Sequence, residues 1–456
     1  MIRHWLPLCL ALLPLPALSQ PVPAGGPPPE AFSACRGQSE GSACQFDAPR
    51  GQVRGECRNA REGLICIPRD RQPPAMAGQR RDGTSAPSPR QQGQRPFGAD
   101  IAADNPAATP VMSRVPDTGQ GSCFDTGKII PCPVAGSPFY GQDANYLGAA
   151  PSYRDNGNGT VSDRVTGLMW QQAHNTKRQG YYEAKASCEN LSLGGYRDWR
   201  LPTIKELFSI SDFRGSIGRR PFLNDVFEIH QPGMEVLEGD QYASTHSPEM
   251  MGQTWSSTLY TGTHFGRPGV EAAFFFNFLD GHIKQAPTRG PRGLFYRCVR
   301  GKTWGGNEFV QKGPGMVEDR STGLVWQQMD DGKTRDWPQA LLYCQNLKLD
   351  NQHWRLPNVK ELQTIVDYRH HDPAIDQRFL RMSDPKGWFW SSTTHGDNIS
   401  HATYVCFGAC TDVDGLDVHG AGAQRSDPKT GNPDDFGSLG GQRDEVRIRN
   451  YVRCVH

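Results

Sequence analysis

The chain has 456 residues, enough for two to four domains. Its 49 basic and 48 acidic residues leave a net charge of +1, so no global field draws it to nucleic acid or an anionic membrane, and a polyanion would need a local patch. Hydrophobic residues are only 36% while Gly and Pro number 51 and 36, which excludes a helical bundle or coiled coil and predicts a loop-rich protein.

Residues 1–19 place Arg3 and His4 before an apolar run from Leu6 to Leu18 that ends in Ala17-Leu18-Ser19. This is the pattern of a cleaved secretory signal, and Pro7, Pro14 and Pro16 break the run too often for a lasting membrane span. The mature chain is expected to be exported, to the periplasm, the outer surface or the medium, with no transmembrane anchor. Losing Cys9 with the signal leaves twelve of 13 cysteines, an even number in an oxidising compartment, and a disulfide framework follows.

Cys35, Cys44, Cys57 and Cys66 crowd a small module at 31–68, expected to hold two disulfides of open connectivity. Zinc competes for four cysteines, but no C-x-x-C knuckle is present. Residues 69–122 are rich in Pro, Gln, Gly, Ser and Arg, with six Arg against two Asp in 69–96, and read as a disordered, solvated linker. A Cys-bridged lead-in follows at 123–150, with Cys123 and Cys132 as a close pair.

The remainder is an internal repeat. GTVSDRVTGLMWQQ at 159–172 matches GMVEDRSTGLVWQQ at 315–328, and the WRLP-x-x-KEL run from Trp199 returns from Trp354. Trp255-Ser-Ser-Thr258 matches Trp390-Ser-Ser-Thr393, and both copies end in Arg-Cys-Val. From Cys188 to Cys344 and from Cys298 to Cys454 the offset is the same 156 residues, which defines copies at 151–301 and 309–456. Two copies are too few for a solenoid, so each is expected to own a core. The shared offset predicts disulfides Cys188–Cys298 and Cys344–Cys454, and Cys406 with Cys410 is left as a local pair.

Within a copy, the turn residues around Asn156-Gly157-Asn158-Gly159 and Thr166-Gly167 predict a meander of short strands. A first helix follows, capped in copy two by Asp336 with Gln339 and carrying Pro338 in its first turn. A second helix starts after WRLP, with capping boxes Thr203 to Glu206 and Asn358 to Glu361. Glu206 and Glu361 are the most enzyme-like residues of the repeat, yet a Glu at the third helical position satisfies a backbone N–H, and capping is the favoured reading. The paired tryptophans Trp170 and Trp326, Trp199 and Trp354, and Trp255 and Trp390 read as core. Each copy closes in strands, with hairpin tips expected at Asp280-Gly281 and Asp414-Gly415. Asp412, Asp414 and Asp417 form a calcium candidate without a nameable fourth ligand, and no other cofactor is indicated.

These ordered motifs, D-x-x-TGL-x-W, the helix cysteine, WRLP-x-x-KEL, WSST and the final RCV, resemble the Lcl C-terminal domain, a family named for a bacterial collagen-like adhesin. Asp125 to Cys132 is similar to a segment that precedes such domains, and 35–66 resembles a four-Cys module of other exported proteins. The resemblance implies an α+β fold distantly similar to C-type lectins, in each copy two helices with a twisted antiparallel sheet and a disulfide from helix to last strand. It also implies adhesin-like binding, with sulfated polysaccharide as one ligand class. The chain departs from the pattern in lacking a collagen Gly-x-y tract and the Glu-Pro-Asn or Trp-Asn-Asp calcium motifs of lectins.

The predicted function is binding of an extracellular or envelope glycan or protein, with an envelope scaffold as the alternative. Copy one carries net +2 and residues from 302 onward net −3, so the candidate anion contacts are Arg214, Arg219 and Arg220 after the WRLP helix. An enzyme is disfavoured. No nucleophile elbow, metalloprotease helix, Walker loop or dinucleotide fingerprint occurs, Ser256, Ser257, Ser391 and Ser392 have no shared His, and His370, His371 and Asp372 read equally well as a polar turn.

Overall fold

The computed structural model describes residues 29–39, 41–48, 51–60, 63–68, 105, 107–216, 220–229, 252–290, 293–436 and 443–456. The signal at 1–19, most of the basic linker and Arg219 lie outside the described residues. The chain divides into two compact units, up to Gln92 and from Gly93.

In the first unit, helix Pro29–Ser33 (α1) precedes an antiparallel sheet of Ala43–Ala48 (β1), Gly51–Ala60 (β2) and Gly63–Pro68 (β3) in the order β1-β2-β3. A segment this short has little apolar area to bury, and its centre is sulfur. Disulfides Cys35–Cys57 and Cys44–Cys66 pack together, with Phe46 and Leu64 against them. The close approach of Cys35, Cys44 and Cys66 reflects these two bonds, and bonded sulfurs offer no thiolate to zinc.

The second unit begins with short pairings, Thr109–Pro110 (β4) parallel to Tyr146–Leu147 (β7), and Cys123–Phe124 (β5) antiparallel to Ile129–Ile130 (β6). Disulfide Cys123–Cys132 closes the second pair. The C-terminal part of the expected linker is not disordered: residues 115–120 are buried, because they lie between the two copies.

Copy one runs through Tyr153–Asp155 (β8), Thr160–Asp163 (β9), Met169–Gln171 (β10), helices Tyr181–Glu189 (α2) and Ile204–Ser209 (α3), then Gln253–Leu259 (β11), Ala272–Asn277 (β12), His282–Pro287 (β13) and Val299–Arg300 (β14). Copy two repeats the plan with Phe309–Gly313 (β15), Met316–Asp319 (β16), Leu324–Gln327 (β17), Trp337–Asn346 (α4), Val359–Thr364 (α5), Trp388–Thr394 (β18), His401–Cys406 (β19) and Gln424–Pro428 (β20). The fold is α+β, but each copy has two small antiparallel sheets where one twisted sheet was expected. Their orders are β14-β10-β9-β8 and β11-β12-β13 in copy one, β15-β16-β17 and β18-β19-β20 in copy two. The break follows from the sequence: two helices and the WRLP turn separate the opening meander from the WSST strand in each copy.

Disulfides Cys188–Cys298 and Cys344–Cys454 each span 110 residues and tie the first helix to the last segment of a copy. On the chain-entropy model each stabilises its copy by about 4–5 kcal/mol. Cys406 bonds Cys410. Asp414-Gly415 is not the tip of the β19–β20 hairpin; it turns a side loop closed by a bridge between Thr411 and Asp417.

The copies do not have wholly separate cores. Tyr181, Trp199 and Trp255 fill a core of copy one, and Trp337, Trp354 and Trp390 fill one of copy two. A third core is continuous across both, joining Trp170, Ile204, Leu207 and Phe208 to Trp326, Val359, Leu362 and Ile365. Helices α3 and α5 are each only six residues, so one face buries little area within its own copy, and pairing them with each other completes the burial. The contact is isologous: equivalent surfaces of the two copies meet about an approximate twofold.

Candidate functional site

The residues that the copies share hold the scaffold. Arg200 forks onto Glu206 with Nη1–Oε2 at 2.7 Å and Nη2–Oε1 at 2.6 Å, and Arg355 does the same to Glu361 at 2.6 and 2.7 Å. The same carboxylates accept from the N–H of Thr203 at 2.8 Å and of Asn358 at 3.0 Å, so WRLP-x-x-KEL is a helix cap locked by a bidentate ion pair. Thr203 Oγ1 and Asn358 Oδ1 accept in return from the N–H of Glu206 and Glu361. Asp336 and Gln339 make the reciprocal bonds at the start of α4.

The arginine of RCV is equally committed. Arg297 donates to Gln171 O at 2.8 Å and Glu228 O at 2.6 Å, and Arg453 to Gln327 O and Gln328 O at 2.7 Å and Arg381 O at 2.6 Å. Both guanidinium groups are buried, and burial pushes them down, to about 9 and about 10. Ser256 Oγ donates to Phe274 O at 2.7 Å and Ser391 Oγ to Thr403 O at 3.1 Å, so these hydroxyls bridge strands and face no histidine.

The anion contacts expected in copy one are not free. Arg214 Nη2 lies 2.6 Å from Asp212 Oδ2, and Arg220 Nη2 lies 3.3 Å from the same oxygen and 3.4 Å from Asp225. Two guanidinium groups thus share one buried carboxylate, and the local positive charge is largely cancelled. The acidic loop of copy two is committed as well. Asp412 accepts from the N–H of Asp414 and Leu416, Asp414 pairs with Arg443 at 2.8 Å, and Asp417 accepts from Cys410, Gly420 and Tyr260. The three carboxylates do not converge on one point.

What remains open is a cleft of about 960 Å³ between the copies. Copy one supplies Lys205 from α3, Thr258 and Leu259 from the end of β11 and Thr261 just beyond it; the connection between copies supplies Trp304 and Asn307; copy two supplies Phe309 from the start of β15, Asp367 to Arg369, Asp376, Arg378 and Phe379. An adjoining hollow of about 530 Å³ shares Arg369, Asp376 and Arg378 and adds His370 and Asp372. Arg369 and Arg378 are 74% and 77% exposed while paired to Asp367 and Asp376 at 2.7 and 2.6 Å. Burial pushes the Asp367 carboxyl up, but the Arg369 side chain and N–H outweigh it and hold it below its ordinary value. Phe309 and Phe379 stack obliquely with centroids 5.8 Å apart, and the backbone N–H of the half-buried Trp304 donates to Glu206 Oε1 at 3.0 Å. Lys205 Nζ is tied to Gly305 O, Asn307 Oδ1 and Thr364 O at 3.0, 3.1 and 2.6 Å, and burial pushes it down to about 8.

This arrangement supplies an aromatic wall, two exposed guanidinium groups and a row of hydroxyls, the groups that hold a ligand by stacking and hydrogen bonds. Arg214 and Arg220, the contacts expected from the sequence, are ion-paired and only about a quarter to a third exposed (23% and 32%), whereas Arg369 and Arg378 of copy two, at the cleft, are largely exposed. Asp212-Phe213-Arg214 and Asp367-Tyr368-Arg369 follow the same helix in the same register, and the second was as visible as the first. Trp304 carried no signal, being in a connection that has no counterpart in the motif set.

A family model, the Lcl C-terminal domain, matches residues 159–300 and again 315–421. Comparison with curated proteins finds no match. The two matched segments cover more than half of the chain and fall one within each of the two copies that meet at the cleft, so the chain belongs to the Lcl C-terminal domain family and carries two such domains in tandem.

Proposed function

We propose that the chain is an exported, adhesin-like binding protein that holds its ligand, a glycan or a polypeptide, in the cleft between its two Lcl C-terminal domains and catalyses no reaction. The observation that carries this reading is the cleft itself, lined by both copies and walled by Trp304, Phe309 and Phe379 with Arg369 and Arg378 at its rim. Export is supported by six disulfides, and no described helix is long and apolar enough to cross a membrane. The disulfide from first helix to last segment is in keeping with a distant C-type-lectin-like plan, a fold class that displays ligand loops from a rigid body. Binding without catalysis is supported by the Glu206, Glu361, Ser256 and Ser391 bonds, all of which serve caps or strands.

The test is capture by the purified mature chain of immobilised sulfated and neutral polysaccharides and extracellular proteins. Capture lost with Trp304→Ala and Arg378→Glu supports the cleft as the site. Capture that is indifferent to both substitutions contradicts it.

A further inference from the structure

The approximate twofold gives the open cleft a counterpart, and that counterpart is filled by the chain itself. In copy one the chain reaches Asp117, leaves through residues 118–148, and returns at Ala149, with the Asp117 N–H on Ala149 O at 2.8 Å and the Gly148 N–H on Asp117 Oδ2 at 2.8 Å. In copy two it passes directly from Gly305 to Phe309. Asp117 and Gly305 are equivalent, because Lys360 Nζ donates to Asp117 O at 3.0 Å as Lys205 Nζ donates to Gly305 O at 3.0 Å. The detour lays Thr118-Gly119-Gln120 into the first groove; among the described residues nothing fills the second.

The first groove shows how such a segment is held. The Phe213 N–H donates to Thr118 O at 2.8 Å. The Thr394 N–H donates to Gln120 Oε1 at 2.9 Å, and Gln120 Nε2 donates to Thr394 O at 2.8 Å. Gly119 has φ +83°, and a Cβ there would lie 2.9 Å from Asp212 Oδ1, so the seat requires glycine on both counts. Thr393 donates its hydroxyl proton to Asp143, a residue of the same detour, while accepting from the Val359 N–H.

Every holding group recurs in the open cleft. Tyr368 stands where Phe213 does, and its N–H meets no acceptor among the described residues. Leu259 stands where Thr394 does. The next residue, Tyr260, bonds Ala272 O at 2.8 Å, so the alternation of an antiparallel pair turns the N–H and C=O of Leu259 away from β12 and toward the cleft. The frame is preserved too: Arg369 folds onto Asp367 with N–Oδ1 3.1 Å and Nε–Oδ1 2.8 Å, as Arg214 folds onto Asp212 with 3.0 and 2.9 Å. Thr258 accepts from the Ile204 N–H at 3.0 Å and keeps a hydroxyl proton to give, as Thr393 gives its own.

We propose that the open cleft receives an extended segment of a partner protein, with glycine at the position of Gly119 and a carboxamide at the position of Gln120, held by the N–H of Tyr368 and the N–H and C=O of Leu259. The proposal rests on the cleft being the ligand site and names the ligand as polypeptide.

The experiment is calorimetric titration of the full mature chain with a synthetic peptide of its own residues 115–122, Val-Pro-Asp-Thr-Gly-Gln-Gly-Ser. Saturable one-to-one binding is expected. It should weaken about tenfold when the peptide glycine at 119 becomes valine, the cost of one lost buried hydrogen bond or a comparable clash, and again with Leu259→Pro, which removes the outward N–H. If Leu259→Pro does not fold, the peptide variant alone decides. No binding of the peptide, or binding indifferent to the glycine, overturns the proposal. If a polysaccharide is then captured in a manner sensitive to Trp304→Ala, the cleft reading survives and only the peptide assignment falls; if no ligand of any class is sensitive to Trp304→Ala, both fall.

Discussion

Lys205 and Lys360 make the same bond in opposite directions: Lys205 Nζ donates to Thr364 O at 2.6 Å, and Lys360 Nζ donates to Ser209 O at 2.9 Å. Each lysine of KEL thereby ties the last turn of the other copy's short helix, where the backbone carbonyls have no partner of their own. The shared motif is at once a cap within a copy and a clasp between copies.

Breaking the clasp should loosen the whole body. Lys360→Met removes donors to Ser209 O and Asp117 O, both buried, and is expected to cost about 1–3 kcal/mol, measured by urea unfolding. Because α3 and α5 share one core, calorimetry of the parent chain should show the two copies melting together, and the variant should begin to separate their transitions.

The buried guanidinium of RCV predicts a loss that a conservative change does not repair. Arg453 reaches three carbonyls on two segments, and a lysine cannot span them. Arg453→Lys and Arg453→Met should both lower stability by about 2–4 kcal/mol, with thermal unfolding as the readout.

The copies and their disulfides were legible in the sequence because a duplicated chain repeats its covalent plan: Cys188 and Cys298, and Cys344 and Cys454, keep one offset. Caps at Thr203 and Asn358 were legible because a capping box is local. The Arg200 and Arg355 forks lie within a single motif, six residues apart, and needed only the turn geometry of WRLP to be seen. The Lys205 and Lys360 clasp and the burial of residues 115–120 were not legible, since each depends on surfaces brought together only when the copies meet. The same holds for the site. Arg369 lay in plain view within Asp-Tyr-Arg, but whether it or Arg214 faced a cleft was decided by the detour at 118–148, which composition alone did not reveal.

Acid and base should act on different groups at the junction. Burial and the Arg425 charge push His282 and His419 down to about 4, and burial with the His282 charge holds His395 well below its ordinary value. These rings sit among Asp280, Lys284, Arg425 and Asp444, and the unfolded chain takes up protons near 6.5 that the folded rings refuse. Their contribution is therefore lost as pH falls from 6.5 to about 4, on the order of 3 kcal/mol for each of His282 and His419. Burial and the Asp117 charge push Asp143 up to about 8, so it works in the opposite sense, and its contribution is lost as pH rises from about 4 to 8. Urea unfolding across this range should find Asp143→Asn flatter than the parent chain on the alkaline side and His419→Gln flatter on the acid side.

Substitution of the copy-one arginines should leave ligand capture intact. Arg214→Ala and Arg220→Ala release a buried Asp212 and cost stability, whereas Arg369→Ala and Arg378→Ala, exposed at the rim but paired to nearly buried carboxylates, should cost less and weaken capture. Paired melting and capture measurements on the four variants separate the two effects.

The most direct test is backbone hydrogen exchange of the full mature chain with and without a captured ligand or the 115–122 peptide. Protection gained at 257–261, 303–309 and 366–379, with the amides of Leu259 and Tyr368 among the slowed, is the predicted result. Protection gained at 210–229 instead, or no change along the cleft under saturating ligand, would contradict it.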